Sequence, residues 1–168
     1  LHSNSLYGLT KIIGEHLVGS SRLQKYKIIR LFNVFGRTDT NPHLIPCIIE
    51  QLKNGNSVKL GSKTSKRDYI YIDDAVNAIE AVIEKGKNRE TYNVGTGKEH
   101  SVEEVISIIS EFLVREISVE YNSYKRTSDF DYICADVSRV YRDTGRLAQY
   151  NLANGISNLL KESGLLNK

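Results

Sequence analysis

Short runs of β-branched and aromatic residues alternate along the chain with longer stretches whose apolar residues recur at helical spacing, and this alternation limits the fold more than any other feature. Leu9, Ile12, Ile13, Leu17 and Leu23 mark a first helix from about Ser5 to Lys25. Lys27 to Phe32 reads as a short buried strand, with Asn33-Val34-Phe35-Gly36 leaving its C-terminal end. Asn41-Pro42 breaks the chain before a helix from His43 to Lys53, for which Gly55 is the expected cap. Val58-Lys59-Leu60 alternates like a strand. The Arg67 to Asp74 segment then leads into a helix through Ala75, Ala78, Ile79 and Val82, with Asp73 as its N-cap. A helix from Val102 to Arg115, a strand from Ile117 to Tyr121 and a final helix from Asn151 to Leu160 complete the order. Strands and helices in turn predict an α/β fold.

With 168 residues, of which 40% are hydrophobic, the chain is long enough for one ordinary core. Its 23 basic and 20 acidic residues are interspersed and leave a net charge of +3. No broad surface for nucleic acid or membrane follows, so any anion site is local. Cys47 and Cys134 form no C-x-x-C pair and no histidines cluster, which fits a reducing cytoplasm better than a disulfide framework or a zinc site. Both cysteines are expected as buried small hydrophobes. No apolar run approaches the roughly 20 residues that cross a bilayer, and the start lacks a signal-peptide pattern. A soluble cytoplasmic protein without a metal site is the expectation.

Tyr7 and Lys11 lie one helical turn apart in Ser5-Leu6-Tyr7-Gly8-Leu9-Thr10-Lys11, so their side chains share a face. A phenol is a poor base at its reference pKa of about 10, and a fixed ammonium favours the phenolate. The pair thus suits a proton acceptor, although Y-x-x-x-K also arises by chance on helix surfaces. Asn33, after a strand, reads either as a turn former or as a group at a ligand edge. Lys63, Lys66 and Arg67 admit two readings, a diphosphate site or a solvated loop, and for the two lysines the loop is preferred. Arg67 offers a planar fork of donors suited to phosphate; the alternative is an ion pair with Asp68 or Asp73. Thr91 to Gly97 resembles a dinucleotide turn but lacks the third glycine, where His100 stands, and Ser101 with Glu104 explains it better as a capping box.

Taken together, the Tyr7 to Lys11 segment with Glu15, the R-L-F-N-V-F-G run, R-D-Y-I-Y-I-D-D, Arg126-Thr127-Ser128-Asp129 and Ala135-Asp136-Val137-Ser138 fall in the order found in the extended short-chain dehydrogenases/reductases. The chain resembles the NAD-dependent epimerase/dehydratase family, of the UDP-glucose 4-epimerase kind, from about Ser5 to Glu162. The resemblance implies Tyr7 and Lys11 as catalytic residues that also touch the cofactor, with Val34 near the nicotinamide. Asn33, Leu44, Arg67, Arg126 and Asp129 would hold a nucleoside diphosphate sugar. His43 stands where the family commonly has asparagine, Val34 where proline is more usual, and Ser128 where it has glycine.

The family's N-terminal G-x-x-G-x-x-G turn and upstream serine or threonine are not in this sequence, which opens on Leu1. The resemblance therefore implies a C-terminal part. Residues 1–36 would end a Rossmann-type cofactor domain, and 37–168 would form mainly the substrate domain. The expected cofactor is NAD, with NADP as alternative, and the complete protein is expected as a homodimer. The activity implied is epimerisation through transient oxidation of a sugar hydroxyl, with a 4,6-dehydratase or reductase as alternatives. The chain alone is expected to be inactive. A non-catalytic fragment that binds nucleotide sugars or a partner chain is the reading from another class.

Overall fold

The computed structural model describes residues 5–39, 43–61, 63, 65–121 and 132–166. Helix α1 (Leu6–Ser20) starts where the Ser5 side chain accepts from the Gly8 amide at 3.1 Å. It stops at Ser21, whose hydroxyl turns back onto the Val18 carbonyl, several residues before the expected end at Lys25. Its apolar residues recur at helical spacing, and α1 contains no buried residue.

Strand β1 (Ile28–Leu31) pairs in parallel with β5, and the next residues form β2 (Asn33–Phe35), which pairs in parallel with β4. The extended segment thus changes partner at Phe32, and Asn33 belongs to a strand rather than to a turn. β1 is half-buried rather than fully buried, and Leu31 is exposed. Helix α2 (Leu44–Leu52) follows, ending at Lys53 in right-handed conformation, so Gly55 is not the cap. Strand β3 (Ser57–Leu60) pairs in parallel with β7 (Ser118–Tyr121).

Strand β4 (Lys66–Tyr71) is the centre of the larger sheet. Besides β2 it pairs antiparallel with β6 (Glu99–Ser101) and parallel with β8 (Tyr132–Ile133). Helix α3 (Ile72–Lys85) leaves it directly, with Tyr71 as N-cap. Asp73 and Asp74 lie inside the first turn, where acids complement the helix dipole, so Asp73 is not the cap. Strand β5 (Thr91–Val94) and helix α4 (Val102–Leu113) match their expected positions closely, and α4 carries the full Ser101–Glu104 capping box. Helices α5 (Ser138–Thr144) and α6 (Leu152–Glu162) end the fold, α6 capped by Asn151. Among the described residues no helix is long and apolar enough to cross a membrane.

Successive side chains of a strand face opposite layers, and β4 has a layer on each side. Tyr69 and Tyr71 join the main core with residues of α2, α4 and α6, while Ile70 packs in a second cluster with Ala75 and Ala78 of α3 and Val94 of β5. The Tyr71 ring meets Phe35 edge-on at 5.6 Å and Tyr150 at 4.9 Å between centroids. Gly155 lets α6 come down on this aromatic group, since a Cβ there would lie 2.7 Å from the Phe35 ring. Cys47 is half-buried and Cys134 exposed; both are free, so neither is the fully enclosed small hydrophobe expected.

Two buried carboxylates organise the loops. Asp68, on the Ile70 side of β4, is 0% exposed and accepts from the Thr96 amide (2.9 Å), the Thr96 hydroxyl (2.6 Å), the Gly97 amide (2.9 Å) and the Ala135 amide (3.1 Å). Asp74 accepts from the Gln149 and Tyr150 amides and so sets the approach to α6. Removing the Asp68 carboxylate leaves three buried amides without acceptors, each a costly loss. Asp68→Ala is expected to lower stability by roughly 3–4 kcal/mol, read as a reduced midpoint in urea unfolding, with Asp68→Asn falling between the two.

Candidate functional site

A cleft of about 200 Å³ opens where β2, β4 and the start of α2 meet. Its walls include Asn33, Val34, His43, Leu44, Arg67 and Tyr69. Four of the expected site residues, Asn33, Val34, Leu44 and Arg67, therefore come together from three separate segments. The parallel β2–β4 register sets Asn33 beside Tyr69. The Asn33 Nδ2 donates to the Asp68 carbonyl at 3.2 Å, which fixes the carboxamide plane and leaves its oxygen unclaimed by that bond. Val34 borders the cleft, while its side chain packs on the cluster around Ile70 and Ala75.

Arg67 forms an ion pair with neither Asp68 nor Asp73 among the described residues. Its Nη1 donates to the Lys66 carbonyl at 2.8 Å, and Asp68 points to the opposite layer. Lys63 and Lys66 are solvent-exposed and pair with Glu103 at 2.9 Å and Glu99 at 3.9 Å, but Lys66 opens strand β4 and does not lie in the loop. Among the described residues no carboxylate lines the cleft, whereas a guanidinium does. The N-terminal turn of α2 also opens here, and its N-cap His43 makes no side-chain capping bond to it; its imidazole instead sits 3.4 Å from Asp39. A guanidinium that pairs with no acid among the described residues, beside the N-terminal turn of α2, suits an anion.

Tyr7 and Lys11 lie away from this cleft, on α1. The Lys11 ammonium sits 5.1 Å from the centroid of the Tyr7 ring, and Tyr7 is 72% exposed. Lys11 has no ion-pair partner among the described residues. A phenol and an unpaired ammonium on one exposed helix face fit the hydroxyl and amide groups at one end of a dinucleotide, and they do not fit a metal; no metal-binding group of His, Cys, Asp or Glu occurs among the described residues. Arg126 and Asp129 lie outside the described residues, as do Asn41 and Pro42.

Helix α1 is fastened by Glu15, whose carboxylate takes two bonds from Arg30 of β1, at 2.7 and 2.5 Å. The hydrogen bonds from Arg30 hold the Glu15 carboxyl below the usual carboxylate range, and the same bonds raise the guanidinium. The orientation of Tyr7 and Lys11 thus depends on a strand-borne arginine. The Thr91 to Gly97 segment is shaped around Asp68: Gly97 has φ +74, and a Cβ at Gly95 would lie 2.7 Å from an Asp68 oxygen. Two residues of the cleft region escape a reading by motif. Tyr69 was signalled only by its position two residues after Arg67, on the same strand face. Asp68 was signalled only as an acid inside an apolar strand.

The chain is similar to known proteins of one family. The model of the NAD dependent epimerase/dehydratase family matches residues 1–95. A dTDP-glucose 4,6-dehydratase of Streptomyces griseus is 30% identical over 162 residues, 94% of this chain and 49% of that protein. Among solved structures, a UDP-glucose 4-epimerase from Thermotoga maritima with UDP-glucose superposes with a TM-score of 0.86 at 26% identity, over 95% of this chain and 53% of that one. MoeE5 in complex with UDP-glucuronic acid and NAD gives 0.83 at 26% identity, over 92% and 54%. The chain spans about half the length of the relatives it matches.

Because Glu15 titrates lower in the folded protein than in the unfolded chain, its bond to Arg30 contributes fully above the unfolded carboxyl pKa, about 4.3, and is lost as pH falls through the lower folded value. Arg30, being raised, keeps its charge throughout this range. Amide exchange in α1 is therefore expected to accelerate below about pH 4 relative to α4, and Glu15→Gln should exchange faster at neutral pH and lose that pH dependence.

Proposed function

This chain belongs to the NAD dependent epimerase/dehydratase family, and on that premise we propose that its full-length protein is a nucleotide-sugar epimerase in which the cleft around Arg67 takes the diphosphate. The cleft that unites Asn33, Leu44 and Arg67 at the start of α2, with no carboxylate lining it among the described residues, carries this reading. Arg67 presents the N–H groups not used on Lys66 to phosphate oxygens, and the Asn33 carboxamide, fixed by the Asp68 carbonyl, orients the ligand beside it. Arg126 and Asp129 are assigned to phosphate and ribose by motif.

NAD, held by Tyr7 and Lys11, would supply hydride exchange at a sugar carbon. Tyr7 removes the proton of the sugar hydroxyl as that carbon is oxidised and gives it back on reduction. Lys11, with its ammonium over the Tyr7 ring, balances charge on the phenolic oxygen and binds the cofactor ribose. Val34, whose side chain packs against Ile70 and Ala75, is assigned to the nicotinamide by motif. The exposed Leu6, Leu9, Ile13 and Leu17 on α1 support a homodimer built on this helix. The Streptomyces griseus relative favours a second reading, a 4,6-dehydratase, in which the same tyrosine starts the oxidation and water is then eliminated. Product analysis after incubation with NAD and nucleoside diphosphate glucose separates the two: an epimer from the first, a 4-keto-6-deoxy sugar from the second.

In the full-length enzyme, Tyr7→Phe is expected to lower turnover by about 10²- to 10⁴-fold, the usual worth of an acid–base group, with nucleotide-sugar affinity nearly unchanged. Lys11→Met should lower turnover and also raise the NAD concentration needed for half-saturation. Turnover within threefold of the parent in both would remove Tyr7 from catalysis. Arg67→Ala should weaken nucleoside diphosphate binding by roughly 1.5–3 kcal/mol in calorimetric titration, the range for hydrogen bonds to charged groups, and Arg67→Lys should restore only part of it because the planar fork is lost.

A further inference from the structure

Two short segments, residues 22–27 and 85–89, contain six of the chain's 23 basic residues (Arg22, Lys25, Lys27, Lys85, Lys87 and Arg89) and none of its 20 acidic ones. The other 157 residues contain 17 basic and 20 acidic, so the positive net charge of the chain resides in these two segments. Far apart in sequence, they meet in the fold because each leads into one of two paired parallel strands, β1 and β5. Asn88 ties them together: its Oδ1 accepts from the Tyr26 amide at 3.0 Å and its Nδ2 donates to the Gln24 carbonyl at 2.8 Å. The Arg89 amide donates to the Tyr26 carbonyl at 2.8 Å, and the Lys27 ammonium to the Ile83 carbonyl at 2.6 Å. Charges that look interspersed along the chain are thus gathered at one end of the sheet.

Arg22, Lys25, Lys85 and Arg89 are exposed and form no ion pair among the described residues. The bordering acids Asp143 and Glu90 are matched by Arg142 and Arg139 of α5, Asp143 also pairing with Lys87 at 3.0 Å. Glu84 is the remaining acid in the stretch from 83 to 90. Two large apolar side chains, Leu23 and Ile83, stand exposed beside the cations, at 54% and 64%. Cations alone suit any polyanion. Cations with exposed aliphatic side chains suit an anionic bilayer, whose headgroups take the charges while the acyl boundary takes the apolar groups; a nucleic acid offers no comparable place for Leu23 and Ile83. We propose that this end of the protein docks on an anionic lipid bilayer, with Arg22, Lys25, Lys85 and Arg89 on the headgroups and Leu23 and Ile83 at the acyl boundary. The proposal does not depend on the reading of the cleft. Lys27 precedes β1 and Asn33 follows it, so the docking surface and the cleft lie at opposite ends of that strand and the cleft is turned away from the bilayer.

Sedimentation of the full-length protein with sucrose-loaded vesicles tests this. Vesicles of equimolar phosphatidylcholine and phosphatidylglycerol are expected to carry the protein down at low ionic strength and to release it at high salt, whereas vesicles of phosphatidylcholine alone leave it in solution. Each cation near such a surface contributes about a factor of five, so Arg22→Gln, Lys25→Gln and Lys85→Gln combined should weaken binding about a hundredfold. Leu23→Ser with Ile83→Ser should weaken it about tenfold by removing the apolar part. All five positions are exposed, and circular-dichroism melting like that of the parent checks that the variants stay folded. Sedimentation with the anionic vesicles no greater than with phosphatidylcholine, or binding within twofold of the parent in the triple variant, overturns the proposal. Binding unchanged in Leu23→Ser with Ile83→Ser, together with displacement from the vesicles by duplex DNA, also overturns it and makes the cluster a nucleic-acid surface.

Discussion

The buried carboxylate of Asp68 is the constraint on which the rest of the cleft depends. It sits in the middle of a sheet with no ion-pair partner among the described residues, and it accepts from three backbone amides and one hydroxyl. Such a group is costly to bury unless every lone pair is used. Satisfying it draws the Thr96-Gly97 turn and the Ala135 amide onto one point of β4. Gly95 is required there because a side chain would overlap the carboxylate, and Gly97 because the turn needs a positive φ.

The strand's alternation converts this inward pull into an outward display. With Asp68 and Ile70 committed to the α3 layer, Arg67, Tyr69 and Tyr71 face the layer of α2, α4 and α6. Tyr71 is absorbed by the aromatic group with Phe35 and Tyr150, which leaves Arg67 and Tyr69 at the rim where α2 begins. The Asp68 main chain contributes as well, since its carbonyl holds the Asn33 side chain. One residue thus anchors the strand on one face and orders a binding group on the other.

The helices with dense apolar faces were legible in the sequence because their periodicity and their stop signals agree: Ser101 and Glu104 announce α4, and Asn151 announces α6. Resemblance by motif also selected four residues that the fold gathers into one cleft. What escaped was set by tertiary partners. The apolar spacing of α1 announces a helix but not its setting: α1 contains no buried residue, and the pair Glu15–Arg30 joins it to β1. Asp73 has the residue type of a cap, but Tyr71 occupies that position because β4 runs straight into α3. Asp68 carries no local signal of its four donors, since all come from residues far along the chain.

A crystal structure of the protein with a nucleoside diphosphate bound tests the central claim most directly. The account predicts the diphosphate within hydrogen-bonding distance of the Arg67 guanidinium, in the cleft between β2, β4 and α2, with Asp68 still bonded to Thr96, Gly97 and Ala135. A nucleotide bound elsewhere, with Arg67 engaged only by the Lys66 carbonyl, would contradict it.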